Sequence, residues 1–75
     1  MTTEKIAQNY SALLDSVYTI NQTIALVYTN TKSKDCVRRN VEHLENMTTK
    51  DYWTTEDMTT VNQAIDDGNT YLGGN

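Results

Sequence analysis

The sequence has no proline and no phenylalanine, one cysteine, one histidine and one tryptophan, and its three glycines all fall at or after position 68. Each scarcity excludes something. With Cys36 as the single thiol, no disulfide can form within the chain. Cys36 and His43 together are too few soft or nitrogen donors for a four-ligand zinc site, so no metal and no cofactor is expected. Without proline, and without glycine before Gly68, nothing forces an early break in the backbone. Helix ends must then be set by capping residues. No apolar run approaches the roughly 18 to 20 residues of a membrane helix. The start, Met1-Thr2-Thr3-Glu4-Lys5, does not lead a basic segment into an apolar block, so no secretory signal is expected.

What is present is a polar, acidic chain of 75 residues with formal net charge −4. A chain of this size buries only about 60% of the surface it exposes when unfolded. Small domains of this kind usually draw on a disulfide, a metal or a partner subunit, and with the first two excluded, oligomerisation is the expected supplement.

Apolar residues recur at Ile6, Tyr10, Leu13, Val17, Ile20, Ile24 and Val27. Their alternating spacing of four and three is a heptad stripe and predicts one long helix over about 3–29, capped by Thr2 or Thr3. Leu14, Tyr18, Ala25 and Tyr28 widen the stripe on one flank, while Glu4, Ser11, Asp15, Thr19 and Gln22 avoid it. The run Asn30-Thr31-Lys32-Ser33-Lys34 reads as a connection, with Ser33 capping a second helix over about 33–50. Its inner face would hold Cys36, Val37, Val41, Leu44 and Met47. Asp35 and Arg39 have the acid-first spacing of a helical ion pair.

The clearest local signal is Trp53-Thr54-Thr55-Glu56-Asp57-Met58. Thr54 as N-cap places Asp57 at N3 of a capping box, with Asp in place of the usual Glu. Trp53 and Met58 then stand at the two ends of a hydrophobic staple. These four residues are the structural candidates. A third helix follows over about 55–72, leaving 73–75 as a flexible tail. Gly68 falls on its inner stripe with Met58, Val61, Ile65 and Leu72, where a glycine either ends the helix or admits a neighbouring backbone. The expected architecture is a single all-α domain over residues 1–75. In it a long N-terminal helix packs on a two-helix hairpin, as one subunit of an oligomeric helical bundle.

Charge is uneven. Residues 32–50 carry five bases against three acids, and residues 51–75 carry five acids and no base. In an antiparallel hairpin Asp66 and Asp67 would come near the cluster Lys32, Lys34, Arg38 and Arg39. A chain of net charge −4 lacks the broad basic surface that nucleic-acid binding requires. For catalysis His43 is the natural general base, yet no carboxylate stands a turn away to orient it and spacing positions no serine beside it. Cys36 lies two turns away, roughly 10 Å. His43 therefore reads as a core-edge or interface residue making a hydrogen bond, and the chain as a non-enzyme with no catalytic residue.

The stretches Val37-Arg38-Arg39-Asn40-Val41-Glu42-His43-Leu44-Glu45-Asn46-Met47 and Lys50-Asp51-Tyr52-Trp53-Thr54-Thr55-Glu56-Asp57-Met58 resemble small uncharacterised proteins of marine tailed phages, notably those of cyanobacteria. The resemblance spans roughly residues 36–66. It implies a phage source, with a place in the cytoplasm of the infected cell or in the virion, and carries no catalytic residue across.

Two functional expectations follow. The first is a helical interaction or assembly protein, forming a homo-oligomer (dimer or tetramer) and engaging a virion or host protein. Helix one, at about 27 residues and roughly 40 Å, outruns partners of about 17. Tyr10, Val17, Ile24 and Tyr28 are accordingly expected at a subunit interface. The second is an acidic inhibitor whose third helix occupies the basic groove of a host nucleic-acid-binding protein.

Overall fold

The computed structural model describes residues 2–26 and 30–74. Over these the chain is all-helical, with no strand among the described residues. Helix α1 spans Thr3–Ala25, α2 Thr31–Met47 and α3 Thr55–Asn69. Beyond α3 the backbone winds on as a wider π turn over Thr70–Gly74.

Thr2 caps α1, its hydroxyl accepting the Lys5 N–H at 3.1 Å. The helix stops at Ala25, four residues short of expectation. Thr19 and Thr23 turn their hydroxyls back onto the carbonyls of Asp15 and Thr19, at 3.0 and 2.8 Å, a contact that weakens and bends helices. No basic residue in the last turn offsets the helix dipole. Val27 and Tyr28 lie outside the described residues.

The second helix begins earlier than Ser33. Asn30 is the N-cap, and its side-chain oxygen accepts the Ser33 N–H at 2.9 Å. Its end comes at Met47 rather than Lys50, because Thr48 and Thr49 donate back to the carbonyls of Glu45 and Asn46 at 3.0 and 2.8 Å. These bonds satisfy acceptors that a further turn would otherwise have used.

At the head of α3 both halves of the capping box form. The Thr54 hydroxyl accepts the Asp57 N–H at 3.0 Å, and an Asp57 carboxylate oxygen accepts the Thr54 N–H at 3.3 Å. The shorter acid therefore reaches. Trp53 and Met58 both pack against the core, and the Trp53 indole donates to the Met47 carbonyl at 2.8 Å, tying the connection to the last turn of α2. At the other end Gly73 takes φ 85°, the left-handed conformation that ends helices. Of the expected tail 73–75, Gly73 leaves the helical conformation at a kink within Thr70–Gly74, and Asn75 lies outside the described residues.

One stripe from each helix closes the core: Leu13, Val17 and Ile20; Val37, Val41 and Leu44; Val61 and Ala64. Tyr10 lies against Trp53 at the start of α3, ring centroids 6.0 Å apart, and Ile20 lies near Gly68 at its end. α1 and α3 therefore run parallel, with α2 antiparallel to both.

Part of the apolar stripe of α1 is covered inside the chain. The connection before α3 lays Tyr52 and Trp53 over the first half of α1, where the Asn9 amide donates to the Tyr52 hydroxyl at 3.2 Å. Val17 is 6% exposed within the core, and Tyr10 and Ile24 are half-buried against it. Three of the four interface candidates are thus used by the fold itself, and Tyr28 lies outside the described residues.

Gly68 is buried inside α3, and a β-carbon there would stand 2.5 Å from Val41 Cγ2, 3.4 Å from Val37 Cγ1 and 3.6 Å from Ile20 Cγ2. Close approach, not helix termination, explains this glycine. Gly68→Ala gains up to about 1 kcal/mol of helix propensity, but forces a shift of a χ1-stiff valine costing about 1–3 kcal/mol. A net loss of about 1–2 kcal/mol is expected in urea unfolding. Val41→Ala should cost less in the Gly68→Ala background than alone; additive losses would refute the contact. Thr54→Ala should cost about 1 kcal/mol through the lost cap, and a neutral Thr54→Ala would mean that the box does not stabilise α3.

Candidate functional site

Three places concentrate chemistry or exposed apolar surface. The first is a serine–histidine pair. Ser16 follows Leu13 by three and precedes Ile20 by four, so it sits on the inner face of α1, 6% exposed. Opposite it, His43 on α2 is half-buried, and Ser16 Oγ and His43 Nδ1 share a hydrogen bond of 2.8 Å. Sequence reasoning missed this pair because its members are 27 residues apart on different helices. The available signal was slight: Ser16 stands beside the heptad stripe, three residues after Leu13 and one before Val17.

The pair lacks the usual surroundings of a nucleophile and its base among the described residues. A nucleophile needs an approachable oxygen, and Ser16 has almost none exposed. A general base also needs a third group to orient it, and His43 has Ser16 as its sole hydrogen-bond partner among the described residues. Ser16 lies mid-helix, where the backbone N–H groups are engaged by the helix and none is free to stabilise an oxyanion. What the arrangement does is tie α1 to α2 by one side-chain hydrogen bond. Cys36, half-buried, takes the Asn40 amide at 3.7 Å while that amide also donates to the Cys36 carbonyl at 2.8 Å.

The second place is an open depression of about 500 Å³ lined by Thr31, Lys32, Asp35, Arg38 and Arg39. Asp35 pairs with Arg38, three residues on, at 2.5 Å, not with Arg39 as the spacing suggested. Both arginines lie within a turn of Asp35, and the side chains settled on the nearer. Neither Asp66 nor Asp67 pairs with this cluster among the described residues; Asp67 instead accepts from the Gln63 amide at 3.0 Å. Both partners of the ion pair are about half exposed, and such surface pairs contribute little.

The third is the outer surface of α1, where Leu14 is 39% and Tyr18 65% exposed; Leu26, capping the helix, is 55% exposed. The Gln22 amide donates to the Tyr18 hydroxyl at 2.7 Å and holds the ring along the helix. No group of three or more potential metal ligands exists among the described residues, and no helix of the described residues is long and apolar enough to cross a membrane. The four structural candidates, Trp53, Thr54, Asp57 and Met58, gather at the head of α3. The chain matches no family model, no curated protein and no solved structure.

Ser16→Ala leaves a partly buried imidazole nitrogen without its partner, at an expected cost of about 1 kcal/mol, or about 4–8 °C in melting temperature for a domain of this size. An unchanged melting temperature would show that water replaces the hydroxyl freely.

Proposed function

We propose that this protein is a non-enzymatic helical interaction and assembly protein that works through the outer face of α1. The observation that carries this reading is the character of that face. Leu14 and Tyr18 stand exposed on it, and the 23 residues of α1 hold only Glu4, Lys5 and Asp15 as charges, against seven charged residues among the 17 of α2. Solvated helix faces are rich in charge, whereas depletion of charge around exposed aromatic and aliphatic side chains marks contact surfaces.

The resemblance to small phage proteins fits a role in a virion or beside a host protein in the infected cell, with the assembly a homo-oligomer. The acidic-inhibitor reading has less support. Asp57 is engaged in the cap of α3 and Asp67 by Gln63, which leaves α3 few free carboxylates for a basic groove.

Affinity capture from a lysate of the native host, with wild type beside Tyr18→Glu, tests the reading. Retention by wild type and loss with Tyr18→Glu is the expected result. Retention that survives Tyr18→Glu but disappears in high salt, or with Glu56→Gln and Asp66→Asn together, would favour the acidic-inhibitor reading instead.

A further inference from the structure

The exposed residues of α1 contain a second heptad stripe, set one residue on from the core stripe. Ala7, Ser11, Leu14, Tyr18, Asn21 and Ala25 follow the spacing four, three, four, three, four, and every one of them is exposed. A stripe of this spacing is what one helix offers another in a two-stranded coiled coil. Its residues have an internal order. The two large side chains stand at the centre, the two polar ones flank them, and alanines close both ends.

We propose that a second copy of this chain covers the stripe, with the two α1 helices antiparallel about a two-fold axis between Leu14 and Tyr18. In that register every layer joins like with like. Leu14 meets the partner's Tyr18 twice at the centre, Ser11 meets the partner's Asn21 twice, and Ala7 meets the partner's Ala25 at each end. The two-fold operation makes each contact reciprocal, as a closed dimer requires. In this register Ser11 and the partner's Asn21 are placed to hydrogen-bond to one another, and polar pairs of this kind fix alignment in coiled coils. A parallel pairing sets Leu14 on Leu14, Tyr18 on Tyr18 and Asn21 on Asn21, and loses the polar match to Ser11.

The seam from Ala7 to Ala25 is about 27 Å long, shorter than a standard interface needs. The two helices bury little surface, and association is concentration-dependent. One feature opposes it. The same two-fold brings Asp15 of each copy to one rim of the seam, where like charges repel.

This inference rests on the reading of α1 as a contact face, and sedimentation equilibrium across the micromolar to millimolar range tests it. Wild type should approach a dimer, while Leu14→Glu and Tyr18→Glu stay monomeric with unchanged helical circular dichroism. Asp15→Asn should tighten the dimer several-fold, a result that parallel pairing, with the two Asp15 side chains apart, does not give. Register is read by oxidising a mixture of Ala7→Cys and Ala25→Cys chains, both in a Cys36→Ser background. A disulfide joining 7 to 25 is expected, and predominant 7-to-7 and 25-to-25 products would overturn the antiparallel arrangement. A wild-type monomer throughout the range overturns the self-pairing. If Tyr18→Glu still abolishes capture of another protein, the contact-face reading survives that failure; if wild type captures nothing either, both fall.

Discussion

Where α3 crosses the other two helices at Gly68, there is no room for a methyl group, and the neighbours that fill the space come from both α2 and α1: Val41, Val37 and Ile20. Much of the bundle depends on that meeting point. Ala64, one turn earlier on the same face, is 2% exposed, so α3 presents two small residues in succession and lets its backbone settle into the groove between its neighbours. The larger side chains of the core, Leu13, Ile20 and Leu44, come from α1 and α2, and each is fully buried. A core with eight closed apolar side chains among the described residues has little to spare, because packing density rather than volume must hold it together.

The close approach also explains how one chain covers so much of α1. At the Gly68 end α3 lies deep against Ile20. At the other end the connection before it carries Tyr52 and Trp53, whose rings lie 4.6 Å apart, centroid to centroid, and extend the cover toward Tyr10. The capping box at Thr54 and the indole bond to Met47 fix where that aromatic pair stands. Local turn chemistry at the head of α3 thus becomes long-range packing on α1. An estimate of coverage from helix lengths alone leaves this loop out, although within one chain the fold buries Val17 and half-buries Tyr10 and Ile24.

Legibility in the sequence followed the range of the interaction. The all-helical fold, the Thr54–Asp57 box and the close approach at Gly68 could be read because each depends on residues a few positions apart, or on one residue type with few other uses. The ends of α1 and α2 were less legible because competing signals of similar strength lie side by side. Asn30 and Ser33 are both good caps, and Asp35 has an arginine at three and at four residues' distance. The Ser16–His43 bond was hidden for another reason: 27 residues separate its members, and only the rotation of α1 against α2 brings them together. That rotation is decided by the whole core, not by any window of sequence.

The same rotation gives the outer stripe of α1 its meaning. Leu13, Val17 and Ile20 are held in the core and Ser16 is bonded to His43, so α1 has no freedom to turn about its axis. Leu14, Tyr18 and Asn21, each one residue further round, are displayed in a fixed register as a direct consequence. Binding usually loses free energy to the ordering of side chains and segments. Here the helix is already formed and its orientation fixed, and the Gln22 bond restrains the Tyr18 ring before any partner arrives. A short seam is weak by area, but little conformational freedom remains for association to remove. Because a ligand that binds only the folded state stabilises it by mass action, a second copy on this face would also support a core that is small for its chain. Size and surface then stand in a single relation: the core that locks α1 in place also fixes which of its side chains are displayed.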